Sequence, residues 1–432
     1  MERRAARPAR RLLSASWVLP VAAPPIRDGA VLVADGRIEA VGPRAALRAA
    51  AAAAEDAFPG AALLPGLVNV HTHLELSGLL GTLPQGRGFL PWVLALIERK
   101  RTLDAAWYRA SVRAGIGALL RAGTTCVGEV TSAGVSPALL RESGLRGVVY
   151  WEVLGPDPAQ AEVLAAGAAK ALADLAGLLR DSPLAAGLSP HALYSTTPAL
   201  RAALRRLRET GRWPAAIHAA ECAEEVALVR EGAGPLWEGL LRPLGVPRPA
   251  ASGVGPLALL EAEGWLSPGT LVIHAAQAEP ADAARLARAG AAVACCPRSN
   301  AALGVGTAPL AALEQAGVRV GLGTDSLASA PSLSLWDEVR AARLLLPERP
   351  AREWLRMLTL GGAEALGLAD RTGSLTPGKA ADCIAVRAAF GPHEEPEVSL
   401  LETASEEAVS FGMVGGRVLL DARAAAREGH GR

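Results

Sequence analysis

The chain has 432 residues, with 44 Lys+Arg against 43 Asp+Glu for a formal net charge of +1, and it is 50% hydrophobic. That balance excludes a strongly basic nucleic-acid binder, and the apolar content excludes gross disorder. At roughly 150 residues per domain the length allows two or three domains with a sizeable core.

At the N-terminus, Arg3, Arg4, Arg7, Arg10 and Arg11 precede an apolar stretch from Leu12 to Ala23. That is the outline of a basic n-region and a short h-region. The stretch runs on into strand and turn signals with no cleavage boundary, so it is read as a first β-strand. No apolar run reaches the roughly 18 residues that would span a bilayer, so no membrane partner is expected.

Strands are predicted over 12–20 and 30–42, the second folded into a hairpin at Asp35-Gly36. Residues 43–58 are alanine-rich and read as a short helix and a loose connection. At the other end, Asp382–Val386 reads as a strand, and two short strands flank Gly415-Gly416. The two ends are β-rich and the middle is not. We therefore expect a small β-sandwich domain formed from both termini, residues 1–62 and 371–432, with an insert over 63–370.

The insert alternates apolar strands with amphipathic helices. Strands are predicted near 64–71, 124–130, 147–154, 185–190, 214–219, 270–275, 291–296 and 319–324. Helices fall between them, as at Ala106–Ala122, Ala159–Leu179, Pro198–Thr210, Pro280–Ala289 and Leu333–Leu346. Eight such strands fit an α/β fold closed into a (β/α)8 TIM-type barrel, with a doubly wound open sheet as the alternative. The five cysteines are odd in number and follow no disulfide framework or C-x-x-C spacing. A reducing, cytoplasmic location is expected, with Cys295 and Cys296 as small buried residues of the seventh strand.

Five of the seven histidines fall at or just beyond the C-terminal end of a predicted strand, the end that carries the active site of a barrel. His71 and His73 end the first strand and share a face at i, i+2. His191 follows the fourth, His218 ends the fifth, His274 ends the sixth, and Asp325 follows the eighth. A lone histidine is more often a satisfied polar group. For six such residues at one end of successive strands, chance is a poor explanation. His393 and His430 lie outside the insert and are read as ordinary polar residues. Gly373–Lys379 has the G-x-x-x-x-G-K spacing of a phosphate loop, but Ala380 stands where Ser or Thr is needed. It is read as a turn entering a strand.

The His-x-His after strand one, the histidines after strands five and six and the aspartate after strand eight resemble the metal-dependent amidohydrolase superfamily. So do the β domain built from both ends and the segment Gly373–Asp382. The resemblance covers nearly the whole chain. It implies His71, His73, His218 and Asp325 as ligands of one divalent metal ion, zinc first, with iron or manganese as options. Two-metal members bridge their ions with a lysine after strand four; here Leu188-Ser189-Pro190-His191 occupies that place. The chain is thus similar to the one-metal deaminase branch.

That branch implies Asp325 as a ligand that also accepts a proton from water. It implies Glu221, three residues after His218, as a proton donor to a substrate ring nitrogen, and His274 as a hydrogen-bond partner of the attacking oxygen. Glu75, His191, Ser299 and Asn300 are expected to bind a small heterocyclic substrate. The segments 71–77 and 323–329 resemble aminodeoxyfutalosine deaminases and adenosine-type relatives, which would place the enzyme in menaquinone synthesis. Homodimers are common among such enzymes, though no residue here demonstrates one. The apolar insertion Phe89–Ile97 reads equally as a lid, a substrate wall or a subunit contact. An amide or imide hydrolase on the same barrel, and a non-catalytic metal-binding barrel, are the alternatives.

Overall fold

The computed structural model describes residues 10–50, 53–391 and 395–423. Arg3, Arg4, Arg7, His393 and His430 lie outside the described residues.

Eight parallel strands form the barrel in chain order. They are β5 (Leu67–Thr72), β6 (Thr124–Thr131), β7 (Arg146–Val153), β8 (Leu184–Pro190), β9 (Ala215–Ala219), β10 (Thr270–His274), β11 (Ala292–Cys295) and β12 (Arg319–Leu322). Closure between β12 and β5 is made at the C-terminal rim, where the Asp325 amide donates to the His71 carbonyl at 3.1 Å. Helices separate the strands, several of them opening on side-chain caps. Asp104 accepts from the Trp107 amide at 2.7 Å, and Thr197 from the Leu200 amide at 3.2 Å. The barrel interior is packed by Val70, Cys126, Val130, Val148, Tyr150, Leu271 and Ile273.

The remaining strands are β1 (Arg11–Val18), β2 (Ile26–Ala34), β3 (Arg37–Pro43), β4 (Ala54–Pro65), β13 (Cys383–Arg387), β14 (Val409–Val414) and β15 (Arg417–Asp421). They make one mixed sheet in the order β15-β14-β13-β4-β1-β2-β3. Asp35 and Gly36 both have positive φ, 50° and 73°, as a two-residue hairpin turn requires. The β2–β3 turn meets the β14–β15 turn, because a Cβ on Gly36 would lie 2.5 Å from the Gly415 carbonyl oxygen. The sheet therefore curls until its ends touch, burying Phe58 against Phe411 at 4.9 Å between ring centroids.

Two stretches differ from the sequence expectation. Residues 54–58 are not a loose connection: they begin β4, whose pairing alongside β1 overrides their alanine content. The first barrel strand starts at Leu67 rather than 64, because Leu64 and Pro65 pair with β13 in the other sheet. Gly66 is the pivot between the two sheets. A Cβ there would lie 1.9 Å from the Thr125 hydroxyl oxygen, so only glycine lets the chain pass. A buried two-pronged ion pair, Arg146 to Asp382, ties the start of β7 to the small sheet. The 373–382 segment is a turn into β13, with the Lys379 ammonium donating to the Thr372 carbonyl and Ser374 hydroxyl. Among the described residues no helix is long and apolar enough to cross a membrane.

Candidate active site

The C-terminal ends of β5, β8, β9, β10 and β12 bring the predicted histidines and Asp325 into one cluster. β5 loses its register with β6 between Asn69 and Thr72, a bulge of the kind that re-aims side chains at barrel rims. The His71 and His73 rings meet edge to face at 4.8 Å, and His71 lies 5.0 Å from His218 between centroids. The strand ends that carry the site hold unusual backbone: Ala220, His274, Ala275 and Asp325 all have positive φ, 51°, 70°, 48° and 57°. Such conformations cost about 1–3 kcal/mol each and persist where the surroundings over-determine them.

The donor set fits a metal ion. Both nitrogens of the buried His71 ring lack a hydrogen-bond partner. The Nε2 atoms of His73 and His218 face each other at 3.3 Å, a contact that a shared cation or proton must mediate. His218 Nδ1 is 3.0 Å from the His191 carbonyl; donating there leaves Nε2 as the free ligand. Asp325 Oδ1 lies 3.5 Å from His71 Nε2 and 3.9 Å from His73 Nε2. Its Oδ2 accepts from Ser299 at 2.6 Å and Ser329 at 2.9 Å. Burial opposes the Asp325 charge, but His71, His274 and His73 beside it hold the carboxyl well below its usual range.

Glu221 lies just past β9, buried, with Oε1 3.3 Å from His274 Nε2. Burial, reinforced by the negative charges of Asp325 and Glu224, pushes its carboxyl well above the usual range. His274 Nδ1 meets Asn300 Oδ1 at 2.9 Å. Donation to that oxygen turns Nε2 into an acceptor facing the cavity, and burial lowers the pKa of the ring. Two carboxyls with opposed protonation preferences therefore share one cavity, the usual mark of acid and base roles.

The cavity above the cluster is lined by His73, His191, His218, Glu221, His274 and Asp325 at its floor. Phe89–Ile97 belongs to a helix, Phe89–Lys100, that forms one wall with Phe89, Trp92, Val93, Leu96 and Ile97. Trp92 anchors this helix by donating its indole N–H to the Ala328 carbonyl at 3.0 Å. Leu240, Leu241 and Leu244 supply more apolar wall.

Of the four expected substrate contacts, only His191 lines the cavity. Glu75 is spent elsewhere. Its carboxylate accepts from the Thr131 hydroxyl at 2.6 Å and from the backbone amides of Ser132, Ala133, Val135 and Ser136. Ser299 and Asn300 sit behind the floor and hold Asp325 and His274.

The sequence reading missed Glu129 and Glu152. Glu129 accepts from the Thr72 hydroxyl at 2.6 Å and from the Leu74 amide at 3.1 Å, gripping the chain on both sides of His73. Glu152 and Lys100 both line the cavity. The signal for both acids was present, since each is the lone acid of its strand and stands near the strand's C-terminal end.

A model of the Amidohydrolase family matches residues 62–419, and one described as "Imidazolonepropionase-like composite domain, bacteria" matches residues 29–54. Aminodeoxyfutalosine deaminase of Deinococcus radiodurans is 35% identical over 349 residues, covering 78% of this chain and 81% of that protein. 5-Methylthioadenosine/S-adenosylhomocysteine deaminase of Teredinibacter turnerae is 31% identical over 435 residues, covering 95% and 92%. A crystal structure of an adenosine deaminase from Xanthomonas campestris with bound zinc superposes with a TM-score of 0.85 at 29% identity, covering 98% of this chain and 97% of that one. The barrel, the histidine and aspartate cluster at its C-terminal rim and a family match across most of the chain agree, and this protein is an enzyme of the amidohydrolase family.

Proposed function

We propose that the enzyme hydrolyses the exocyclic amino group of a purine nucleoside derivative, releasing ammonia, with aminodeoxyfutalosine as the leading substrate. The observation that carries the chemistry is the buried Glu221 carboxyl, 3.3 Å from His274 and beside Asp325 at the floor of one cavity. The names of the Deinococcus and Teredinibacter relatives support the substrate class.

His71, His73, His218 and Asp325 would hold one divalent ion, with zinc favoured by the Xanthomonas neighbour and iron or manganese compatible with the same nitrogen and oxygen donors. When bound, such an ion lowers the pKa of a water so that a nucleophile exists at neutral pH. Asp325 accepts the proton of the attacking water. Glu221, whose carboxyl burial biases toward the protonated form, donates to the ring nitrogen next to the amino-bearing carbon. His274 Nε2 orients the attacking oxygen. A new C–O bond forms at that carbon, the amino nitrogen takes up a proton, and the C–N bond breaks to give ammonia. The apolar walls exclude bulk water and offer flat surface to a base. Free, buried cysteines at all five positions support a reducing cytoplasm as the setting.

The test is ammonia release from metal-assayed protein on aminodeoxyfutalosine, methylthioadenosine, S-adenosylhomocysteine, adenosine, guanine, cytosine and a cyclic amide. Preference for aminodeoxyfutalosine supports the proposal and a place in menaquinone synthesis. Preference for another nucleoside keeps the chemistry and moves the substrate. Turnover of the cyclic amide alone rejects a deaminase.

A further inference from the structure

We infer that Glu152 reads the sugar of the substrate, its carboxylate accepting hydrogen bonds from the hydroxyls of a ribose. The inference rests on the purine nucleoside proposed above and adds the residue that selects ribose. Glu152 is at the C-terminal end of β7, on the same face as Val148 and Tyr150, whose side chains pack the barrel interior. It lines the cavity. Its Oε1 is buried and makes no hydrogen bond, a state that costs about 1–3 kcal/mol unless a donor arrives.

Position and chemistry both select a sugar hydroxyl as that donor. In a purine nucleoside the glycosidic nitrogen lies across the bicycle from the amino-bearing carbon. With that carbon held at Glu221 and His274, the sugar falls toward the far wall. Glu152 lies beyond His274 along the row of histidines, its Oε1 3.9 Å from His191 Nε2, with the His191 ring 4.9 Å from His218 and His218 5.6 Å from His274, and its carboxylate comes within 4.8 Å of the His191 and His218 nitrogens at the edge of the floor. The other polar groups there are less suited. Lys100 can only donate, and it donates to the Ser132 hydroxyl at 3.1 Å. Ser195 is taken by His191 Nδ1 at 2.6 Å. The Glu75 carboxylate is saturated by five donors outside the cavity. Among the described residues that line the cavity, Glu152 keeps a carboxylate oxygen without a partner, and the hydroxyl of Ser326 beside Asp325 also lacks one.

The test compares adenosine with 2′-deoxyadenosine and 3′-deoxyadenosine, in the metal-loaded wild type and in Glu152→Gln and Glu152→Ala. Burial raises the Glu152 carboxyl to about 7, so the assay is run above about pH 8, where a hydrogen bond to the charged group predicts a wild-type preference for the ribonucleoside on the order of 10- to 100-fold in kcat/KM. In both variants that preference should collapse to within about threefold, mainly through a higher KM for adenosine. Metal content should match the wild type. Three results would overturn the inference: a wild type indifferent to the missing hydroxyl, variants that keep the preference, or variants that lose metal. The last would mean that Glu152 ligates an ion with its neighbours His191 and His218. A wild type inactive on every purine nucleoside, but active on another compound, sinks the proposed substrate class and this inference with it.

Discussion

The floor and the far wall of the cavity are held in opposite ways. On the floor almost every reactive atom is fixed by a second residue. Ser299 and Ser329 hold Asp325, Asn300 holds His274, the His191 carbonyl meets His218, and Glu129 clamps the chain around His73. The wall is a helix of mostly apolar side chains held by the Trp92 indole and, at its end, the Lys100 ammonium, and the vacant Glu152 oxygen lines the same cavity. Strain is concentrated on the floor, where the positive-φ residues of three strand ends lie. The contrast separates tasks. A rigid floor suits a reaction whose charges must be met without reorganisation, and a softer wall suits the choice of substrate.

The largest effect is expected from breaking the floor at its shared residue. Asp325→Ala removes a proposed ligand and a proton acceptor together. Metal content should fall well below one equivalent, and turnover should drop by at least about 10³-fold. Glu221→Gln separates the two functions: the ion should stay while kcat falls by about 10²- to 10⁴-fold, the range for a lost general acid. Metal analysis alongside ammonia release distinguishes them. A Glu221→Gln enzyme with full turnover would remove the proton-transfer role.

Next in size come the residues behind the floor. Asn300→Ala leaves His274 Nδ1 without its partner, so the ring loses its fixed tautomer. About a 10- to 100-fold loss, the usual cost of removing such a support, should appear in kcat rather than KM. An unchanged kcat would show that packing alone orients His274, and the claimed difference between floor and wall would weaken.

The same contrast explains what could be read from the sequence. Residues on the floor stand at strand ends, so a histidine or aspartate that closes an apolar run announces its own position. That is why His71, His73, His218, His274 and Asp325 could be placed together before the fold was known. The wall comes from elements far apart in the chain: a helix after β5, the end of β7, and the leucines of 240–244. No local pattern says that these meet. Glu75, Ser299 and Asn300 show the complementary difficulty. Each lies on the right rim, but only the packed structure reveals that its polar atoms are spent on other parts of the protein. The start of the barrel was hidden for another reason. An apolar run from 61 to 70 does not show that it serves two sheets, and only the crowding of Gly66 by Thr125 marks the break.

The smallest effect tests the wall alone. Trp92→Phe keeps an aromatic ring against the cavity and deletes the indole donor to the Ala328 carbonyl. Ala328 lies three residues from Asp325 and next to Ser329, which bonds the Asp325 carboxylate. The variant thus asks whether the wall helix is coupled to the floor. If the two are independent, stability should fall by about 0.5–1.5 kcal/mol for one hydrogen bond. KM should rise a few-fold and kcat should hold. If kcat falls tenfold or more with metal content intact, the hydrogen bond also positions Asp325 through the 326–329 turn, and the wall must be counted as part of the catalytic support.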